Sequence, residues 1–172
     1  MDHAYRLLAV DDEPEIQRTN RRYLEARGYR IDTAACGKEA LALLKRYNYD
    51  GILLDVMLPD VNGFVLCKTV RELTSAPILF LSCMDDEESR IRGRMAGGDD
   101  YITKPCSLKD LEARVYAQIR QKAEVSKNIY NEGGMDHDKK QKKEETISGI
   151  AVGGAAACTA DRYDSLRRGR WT

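Results

Sequence analysis

The sequence predicts a doubly wound α/β fold, in which helices cover both faces of a parallel sheet. Short apolar segments alternate with amphipathic segments, which makes five strand–helix units in roughly the first 120 residues. Two of the apolar segments, GILLD and PILFLS, are apolar without alternation. That pattern is typical of strands buried on both faces. Short connections and right-handed crossovers leave few other topologies for such a chain.

The first strand–helix unit begins with the apolar run Arg6–Val10. The sequence DDEPE ends this run, and Pro14 suits the first turn of a helix, because that position needs no backbone N–H donor. Residues after it recur at helical spacing as far as Arg27, and Gly28 is expected to end the helix. The segment Tyr29–Ala34 alternates in polarity and predicts the second strand.

The later units follow the same logic. Alanine and leucine at helical spacing predict the second helix, and the apolar run before Asp55 predicts the third strand. Asn62 is a plausible N-cap for the third helix, and Ser107 is expected to cap the last one. The remaining predicted elements are a helix over Gly37–Tyr47, strands at Gly51–Asp55, Pro77–Ser82 and Tyr101–Thr103, and a polar helix over Asp85–Ala96.

Composition narrows the class of protein. Apolar residues make up 42% of the 172 residues, and 28 basic side chains balance 28 acidic ones. This suits a soluble globular domain, and the charge gives no argument for nucleic acid or a membrane surface. We expect no signal peptide and no spanning helix. The five cysteines show no CxxC pattern, which favours free thiols in a reducing cytosol and a cytoplasmic location.

Polar side chains occur where the predicted strands end, the edge at which ligands bind in such sheets. Asp11 and Asp12 follow the first strand, Asp55 and Ser82 end the third and fourth, and Lys104 follows the fifth. Three neighbouring carboxylates repel one another, and Mg²⁺ would relieve that repulsion. Lys104 and Ser82 could bind an anion in the same place. A metal, a nucleophilic carboxylate and an anion-binding pair together indicate phosphoryl transfer onto an aspartate.

Four segments carry a family resemblance: LLAVDDEPEI, GILLDVMLPDVNGF, APILFLSC and GGDDYITKPCSLKDLEARV. In this order and spacing, the chain from about Tyr5 to Lys122 resembles the receiver domain of two-component response regulators. The resemblance implies a five-stranded parallel sheet in the order 2-1-3-4-5 with five flanking helices. It also implies a sensor histidine kinase as the phosphoryl donor and Mg²⁺ as the cofactor.

The resemblance further implies a role for each residue at the strand ends. The implied roles are Asp55 as phosphoacceptor; Asp11, Asp12, Asp55 and the backbone carbonyl of Met57 as Mg²⁺ ligands; Ser82 and Lys104 as phosphoryl-binding groups; and Ser82 with Tyr101 as the switch. A cis peptide bond is implied at Lys104–Pro105. Phosphorylation would reshape the surface of the fourth helix, fifth strand and fifth helix, through which the domain could form a homodimer.

The chain departs from the family pattern near the predicted site. Cys83 replaces a small residue after the hydroxyl, and Cys106 replaces a phenylalanine, which should weaken packing of the last loop by about 1–3 kcal/mol if the space does not refill. Met57 and Met84 occupy places where polar residues can help water attack the phosphoryl group. Because thioethers cannot act as bases, we expect slow self-dephosphorylation.

The composition changes after the predicted receiver domain at 4–122. A charged linker is expected at 123–147 and a poorly structured tail at 148–172, which could be the remnant of an effector domain in a truncated or frame-shifted winged-helix-class regulator. No recognition helix is evident in the tail, so we expect DNA binding by this chain to be doubtful. A stand-alone receiver that acts through protein–protein contacts is the alternative.

Two other classes are less compatible with the sequence. Aspartyl-phosphatases of related fold need a second aspartate two residues after the nucleophile, and Met57 occupies that position. A degenerate receiver that only binds partners would not need to retain Asp12, Asp55, Ser82 and Lys104 together. We therefore expect a signalling protein rather than an enzyme.

Overall fold

The computed structural model describes residues 4–131 and confirms the predicted α/β class. Five parallel strands pair in the order β2-β1-β3-β4-β5, as the family resemblance implied. The elements are β1 (Arg6–Val10), α1 (Pro14–Glu25), β2 (Arg30–Ala34), α2 (Gly37–Arg46), β3 (Gly51–Asp55), α3 (Gly63–Leu73), β4 (Ile78–Ser82), α4 (Glu87–Met95), β5 (Asp100–Thr103) and α5 (Leu108–Asn131).

Two apolar layers enclose the sheet. On one face, Leu8 and Leu54 belong to a buried cluster shared with α2 and α3. On the other, Leu7 and Leu53 belong to a cluster shared with α1 and α5. Each strand therefore presents consecutive residues to opposite faces, and every residue of β3 is buried. Burial on both faces fixes the position and direction of each strand in the sheet. It therefore also fixes where the side chains at the carboxyl ends of the strands lie.

Element boundaries follow local hydrogen bonding. The Asn62 side chain accepts a hydrogen bond from Phe64 N at 2.9 Å, and Ser107 Oγ accepts one from Asp110 N at 3.0 Å, which confirms both predicted N-caps. The fourth helix begins later than predicted, at Glu87, because Asp86 caps it by accepting a bond from Ser89 N at 2.7 Å. Such ends depend on individual side-chain bonds, which apolar periodicity does not reveal.

Arg71 on α3 links the turn after its own helix to a segment that is distant in the sequence. Its guanidinium donates to the Ala76 carbonyl at 2.7 Å, to the Gly97 carbonyl at 3.0 Å and to Asp99 Oδ2 at 2.6 Å. Asp99 Oδ2 also accepts from Ile78 N at 2.9 Å. Arg71 thereby holds the turn before β5 against the start of β4.

Replacing Arg71 with alanine should lower the free energy of unfolding by about 2 kcal/mol, because it leaves carbonyl and carboxylate acceptors without their donor. Urea denaturation would measure the loss. Arg92→Ala is the matched control, since the Arg92 side chain is 61% exposed and pairs with exposed Glu88, so the loss of stability should stay below about 1 kcal/mol. Equal losses in the two variants would contradict this role for Arg71.

The last helix continues past residue 122, where the sequence suggested a domain boundary, and reaches Asn131. The rest of the predicted linker at 123–147 and the predicted tail at 148–172 lie outside the described residues, so the domain division stays a prediction. None of the helices between residues 4 and 131 combines the length and apolar character needed to cross a membrane.

Candidate functional site

The acids predicted at the strand ends meet at one edge of the sheet. Because β1 and β3 are neighbours, Asp11 and Asp12 lie beside Asp55, and one carboxylate oxygen of each falls within 4.8 Å of the others. Asp11 is 5% exposed and Asp55 is 4% exposed, whereas Asp12 is half-buried. Burying two carboxylates this close together is costly unless cations compensate them.

Lys104 supplies one such cation. Its Nζ donates to Asp11 Oδ2 at 2.6 Å and to Asp55 Oδ2 at 2.9 Å, and its side chain is 7% exposed. The backbone N of Lys104 donates to the Ser82 carbonyl at 2.8 Å. The peptide bond to Pro105 is cis, as implied by the resemblance. The structure thus brings the predicted lysine into direct contact with the predicted phosphoacceptor.

Burial and charge act against each other at this pair. Burial raises the pKa of Asp55, the neighbouring Lys104 lowers it, and burial dominates, so the pKa lies above its ordinary value. For Lys104, burial lowers the pKa, but the carboxylates of Asp55 and Asp11 outweigh burial and leave it raised. Lys104 therefore stays protonated, and the Asp55 carboxylate lies in a poorly hydrated position that depends on a nearby cation.

Backbone amides orient the other oxygens of the two buried acids. Asp55 Oδ1 accepts from Met57 N at 2.9 Å, and Asp11 Oδ1 accepts from Glu13 N at 2.9 Å. Gln17 on α1 donates to the Asp11 carbonyl and to the Ala34 carbonyl at 3.0 Å. These bonds fix both carboxylates in place before any ligand binds.

The donor set fits a hard divalent cation. Asp11, Asp12 and Asp55 offer only oxygen ligands, which Mg²⁺ prefers. When all three carboxylates are charged, their total negative charge is larger than the single positive charge of Lys104, which leaves negative charge for a cation to balance. Met57 lies in the loop directly after β3, where it forms a bridge with Asn62.

The predicted switch residues share a contact on one loop. Ser82 is fully buried at the end of β4, and its Oγ accepts from Met84 N at 3.1 Å. The Tyr101 hydroxyl donates to the Met84 carbonyl at 2.9 Å. Burial raises the pKa of Tyr101, so the hydroxyl keeps its proton for this bond. Met84 therefore contacts both residues of the predicted switch, Ser82 and Tyr101.

The cysteines near the site differ in exposure. Cys83 is exposed and Cys106 is half-buried against the α1/α5 side of the core. Burial raises the pKa of the Cys106 thiol, and it raises that of buried Cys67, on α3, to about 11. Cys158 lies outside the described residues. The loss of packing expected from Cys106 stays a prediction.

Sequence reasoning missed two residues that support the site. Gly63, at the start of α3, lies so close to the third strand that a Cβ atom there would be 2.3 Å from the Asp55 carbonyl oxygen. In the sequence, the one indication of a special role for Gly63 is its position directly after the predicted N-cap Asn62. Gln17 has no signal, because a polar residue on a surface helix is ordinary.

Comparison with known proteins decides the family. The model of the response regulator receiver domain matches residues 7–116. The chain belongs to the response-regulator receiver family. The receiver domain is similar to the transcriptional regulatory protein ResD of Bacillus subtilis, with 40% identity over 77% of this chain and 60% of that protein. It is also similar to the nisin biosynthesis regulatory protein NisR of Lactococcus lactis, with 43% identity over 67% of this chain and 51% of that protein.

Solved structures agree with this assignment. The receiver domain of the Francisella response regulator 1452 is 36% identical, with a TM-score of 0.65 over 68% of this chain and 98% of that one. The Thermotoga maritima regulator DrrB, an OmpR/PhoB homologue, is 30% identical, with a TM-score of 0.64 over 69% of this chain and 54% of that one. The chain spans between 48% and 60% of the length of eight curated relatives that it matches.

Proposed function

We propose that the receiver domain accepts a phosphoryl group on Asp55 from a phosphohistidine of a sensor histidine kinase. An Asp55 oxygen attacks phosphorus, the P–N bond breaks, and the histidine nitrogen takes up a proton as it leaves. The observation that carries this proposal is the buried contact of 2.9 Å between Asp55 and Lys104 beside two further carboxylates. A carboxylate in such a position has charged partners already arranged for an incoming phosphoryl group.

Each neighbouring residue has a part in this proposal. Mg²⁺ would be held by Asp11, Asp12 and Asp55 together with the carbonyl of Met57. When bound, Mg²⁺ supplies positive charge that stabilises the phosphoryl oxygens. Once Asp55 has been phosphorylated, Lys104 would pair with a phosphoryl oxygen. This role of Lys104 is supported by the position of its Nζ between Asp11 and Asp55.

The same group would operate the switch. A phosphoryl group adds about two negative charges and three acceptor oxygens, and the Ser82 hydroxyl can donate to one of them. Ser82 and Tyr101 both bond to Met84, so movement of the hydroxyl and rotation of the ring are linked through that residue. Phosphorylation would shift the population between two existing arrangements of this loop.

The output would be a changed α4-β5-α5 surface that serves as a homodimer face. Met95 is 80% exposed and Ile91 is 48% exposed on α4, and Arg114 on α5 pairs with Asp100 on β5 at 3.2 Å. Such mixed apolar and charged surfaces are typical of protein interfaces. In the whole protein, which would act in the cytoplasm, this change would regulate transcription, since relatives carry the names of transcriptional regulators.

Intact mass measurement with acetyl phosphate and Mg²⁺ tests the proposed chemistry. The wild-type chain should gain one phosphoryl group, whereas Asp55→Asn should gain none and excess EDTA should suppress the reaction. Asp60→Asn is a matched control, because Asp60 bonds instead to the N-terminal amides of α2 at 2.9 Å. Equal phosphorylation of wild type and Asp55→Asn would reject Asp55 as the acceptor.

Slow self-dephosphorylation is a separate expectation of the proposed function. Met84→Asn, which places a group able to orient water two residues after Ser82, should shorten the phosphoryl half-life by about tenfold. This is less than the roughly 100-fold or more of a general base, because an amide orients water without taking up its proton. Met57→Asn should act in the same direction. Loss of phosphate can be followed by mass after removal of the donor, with Met95→Asn as the control. An unchanged half-life in both variants would show that the thioethers do not limit the reaction.

A further inference from the structure

Gly93 on α4 lies against the ring of Tyr101. A Cβ atom at Gly93 would lie 3.0 Å from Tyr101 Cδ2 and 3.2 Å from Phe80 Cδ2. Both distances are shorter than the roughly 3.5–4.0 Å at which carbon atoms pack favourably, so a methyl group would fit only if a ring shifted by a few tenths of an ångström. Gly93 is buried inside a helix, where glycine is less favourable than alanine. The close approach of the two rings gives a physical reason for glycine at this position.

The two rings differ in their freedom to move. Phe80 is fully buried on β4, and the ring of Phe64 packs edge-on against it, with ring centroids 5.1 Å apart. Tyr101 is half-buried and is anchored by the bond from its hydroxyl to the Met84 carbonyl at 2.9 Å. A methyl group at Gly93 would therefore displace Tyr101 rather than Phe80, and the displacement would strain the bond to Met84.

We propose that Gly93 is a positioning residue of the switch, because it provides the space that Tyr101 occupies when its hydroxyl bonds to Met84. This inference rests on the proposed function, to which it adds that phosphorylation at Asp55 favours the arrangement of Tyr101 bonded to Met84. Met84 N also donates to Ser82 Oγ, so strain on the bond between Tyr101 and Met84 also acts on the residue that contacts the Ser82 hydroxyl.

Reciprocity of coupling makes the proposal measurable. If a phosphoryl group favours the Tyr101 arrangement bonded to Met84, then disfavouring that arrangement must weaken the binding of a phosphoryl mimic by the same factor. A substitution at Gly93 that only disturbed the helix would weaken binding of the mimic whether or not the Tyr101 ring is present. The dependence on Tyr101 therefore separates a positioning role from a general structural one.

The test is calorimetric titration of the full chain with beryllium fluoride in the presence of Mg²⁺. Gly93→Ala should raise the Kd by about fivefold or more, the lower end of typical coupling between sites. In a Tyr101→Ala background, adding Gly93→Ala should change the Kd by less than about twofold, because no ring remains to be displaced. Arg92→Ala, a solvent-facing change on the same helix, should leave the Kd unchanged.

Three outcomes would overturn the proposal. An unchanged Kd in Gly93→Ala, or an equal increase in both backgrounds, would show that the glycine does not act through Tyr101. If Gly93→Ala fails to fold by circular dichroism, the double variant should fold, because removal of the ring clears the methyl group; failure of the double variant as well would assign the obstruction to Phe80. Failure of wild type to bind the mimic would instead contradict the proposed function itself.

Discussion

Replacing Lys104 with methionine should slow phosphorylation by acetyl phosphate by at least about 100-fold, the usual cost of removing one preorganised charged group from a reacting site. The wild-type ammonium lies 2.9 Å from Asp55 Oδ2 and 2.6 Å from Asp11 Oδ2, with 7% of its side chain exposed. Bulk water cannot replace a cation in so buried a position. Initial rates from intact mass would measure the effect.

The same substitution should strengthen Mg²⁺ binding. Removing a positive charge from beside the carboxylates leaves more uncompensated negative charge, which should tighten Mg²⁺ binding by at least about tenfold, since unit charges about 4 Å apart near a protein surface interact by roughly 4 kcal/mol. Calorimetry in the absence of phosphodonor would measure the affinity. Lys109→Met is the control, because Lys109 is exposed on α5 and should affect neither quantity. Weaker Mg²⁺ binding in Lys104→Met, or a phosphorylation rate within about threefold of wild type, would contradict the role assigned to Lys104.

Gly63→Ala should lower the free energy of unfolding by about 3 kcal/mol or more, as severe overpacking does. A Cβ atom at this position would lie 2.3 Å from the Asp55 carbonyl oxygen and 2.7 Å from Val56 Cα. These are backbone atoms of a buried strand and its loop, so they cannot move aside as a flexible side chain would. The variant should also phosphorylate more slowly, because the displaced segment carries Asp55.

Gly28→Ala separates this collision from the general effect of removing a glycine. Gly28 has a φ of +89° but no atom within 4 Å of the added Cβ, so its cost should be only the backbone strain of about 1–2 kcal/mol. Gly28 also precedes β2, at the edge of the parallel sheet opposite to the acidic cluster, so the phosphorylation rate of Gly28→Ala should match that of wild type. Equal losses of stability in the two variants, with normal phosphorylation in both, would show that Gly63 does not support Asp55.

Much of the site could be predicted because its residues follow directly from strand ends. An apolar run that ends in an acid, such as the third strand before Asp55, places that acid at the carboxyl edge once the strands are parallel. Lys104 and Ser82 were located by the same argument. The strand order itself came from the family resemblance, since periodicity alone does not say which strands are neighbours.

Other features depend on contacts between segments that are distant in the sequence. Arg71 joins the end of α3 to the turn before β5, and its neighbours in the chain give no indication of those partners. Gly93 looks like an unfavourable residue in a polar helix until Tyr101 and Phe80 are seen beside it. Such residues become recognisable only after the fold has brought their partners together.

The central claim is that Asp55 is the one reactive carboxylate in the cluster of Asp11, Asp12 and Asp55. Treating the phosphorylated chain with borohydride reduces an acyl phosphate to an alcohol, and peptide mass spectrometry then locates the reduced residue. The account predicts that the reduced residue is Asp55 alone, with Asp11 and Asp12 intact. Reduction at Asp11 or Asp12, or no acyl phosphate after incubation with acetyl phosphate and Mg²⁺, would contradict it.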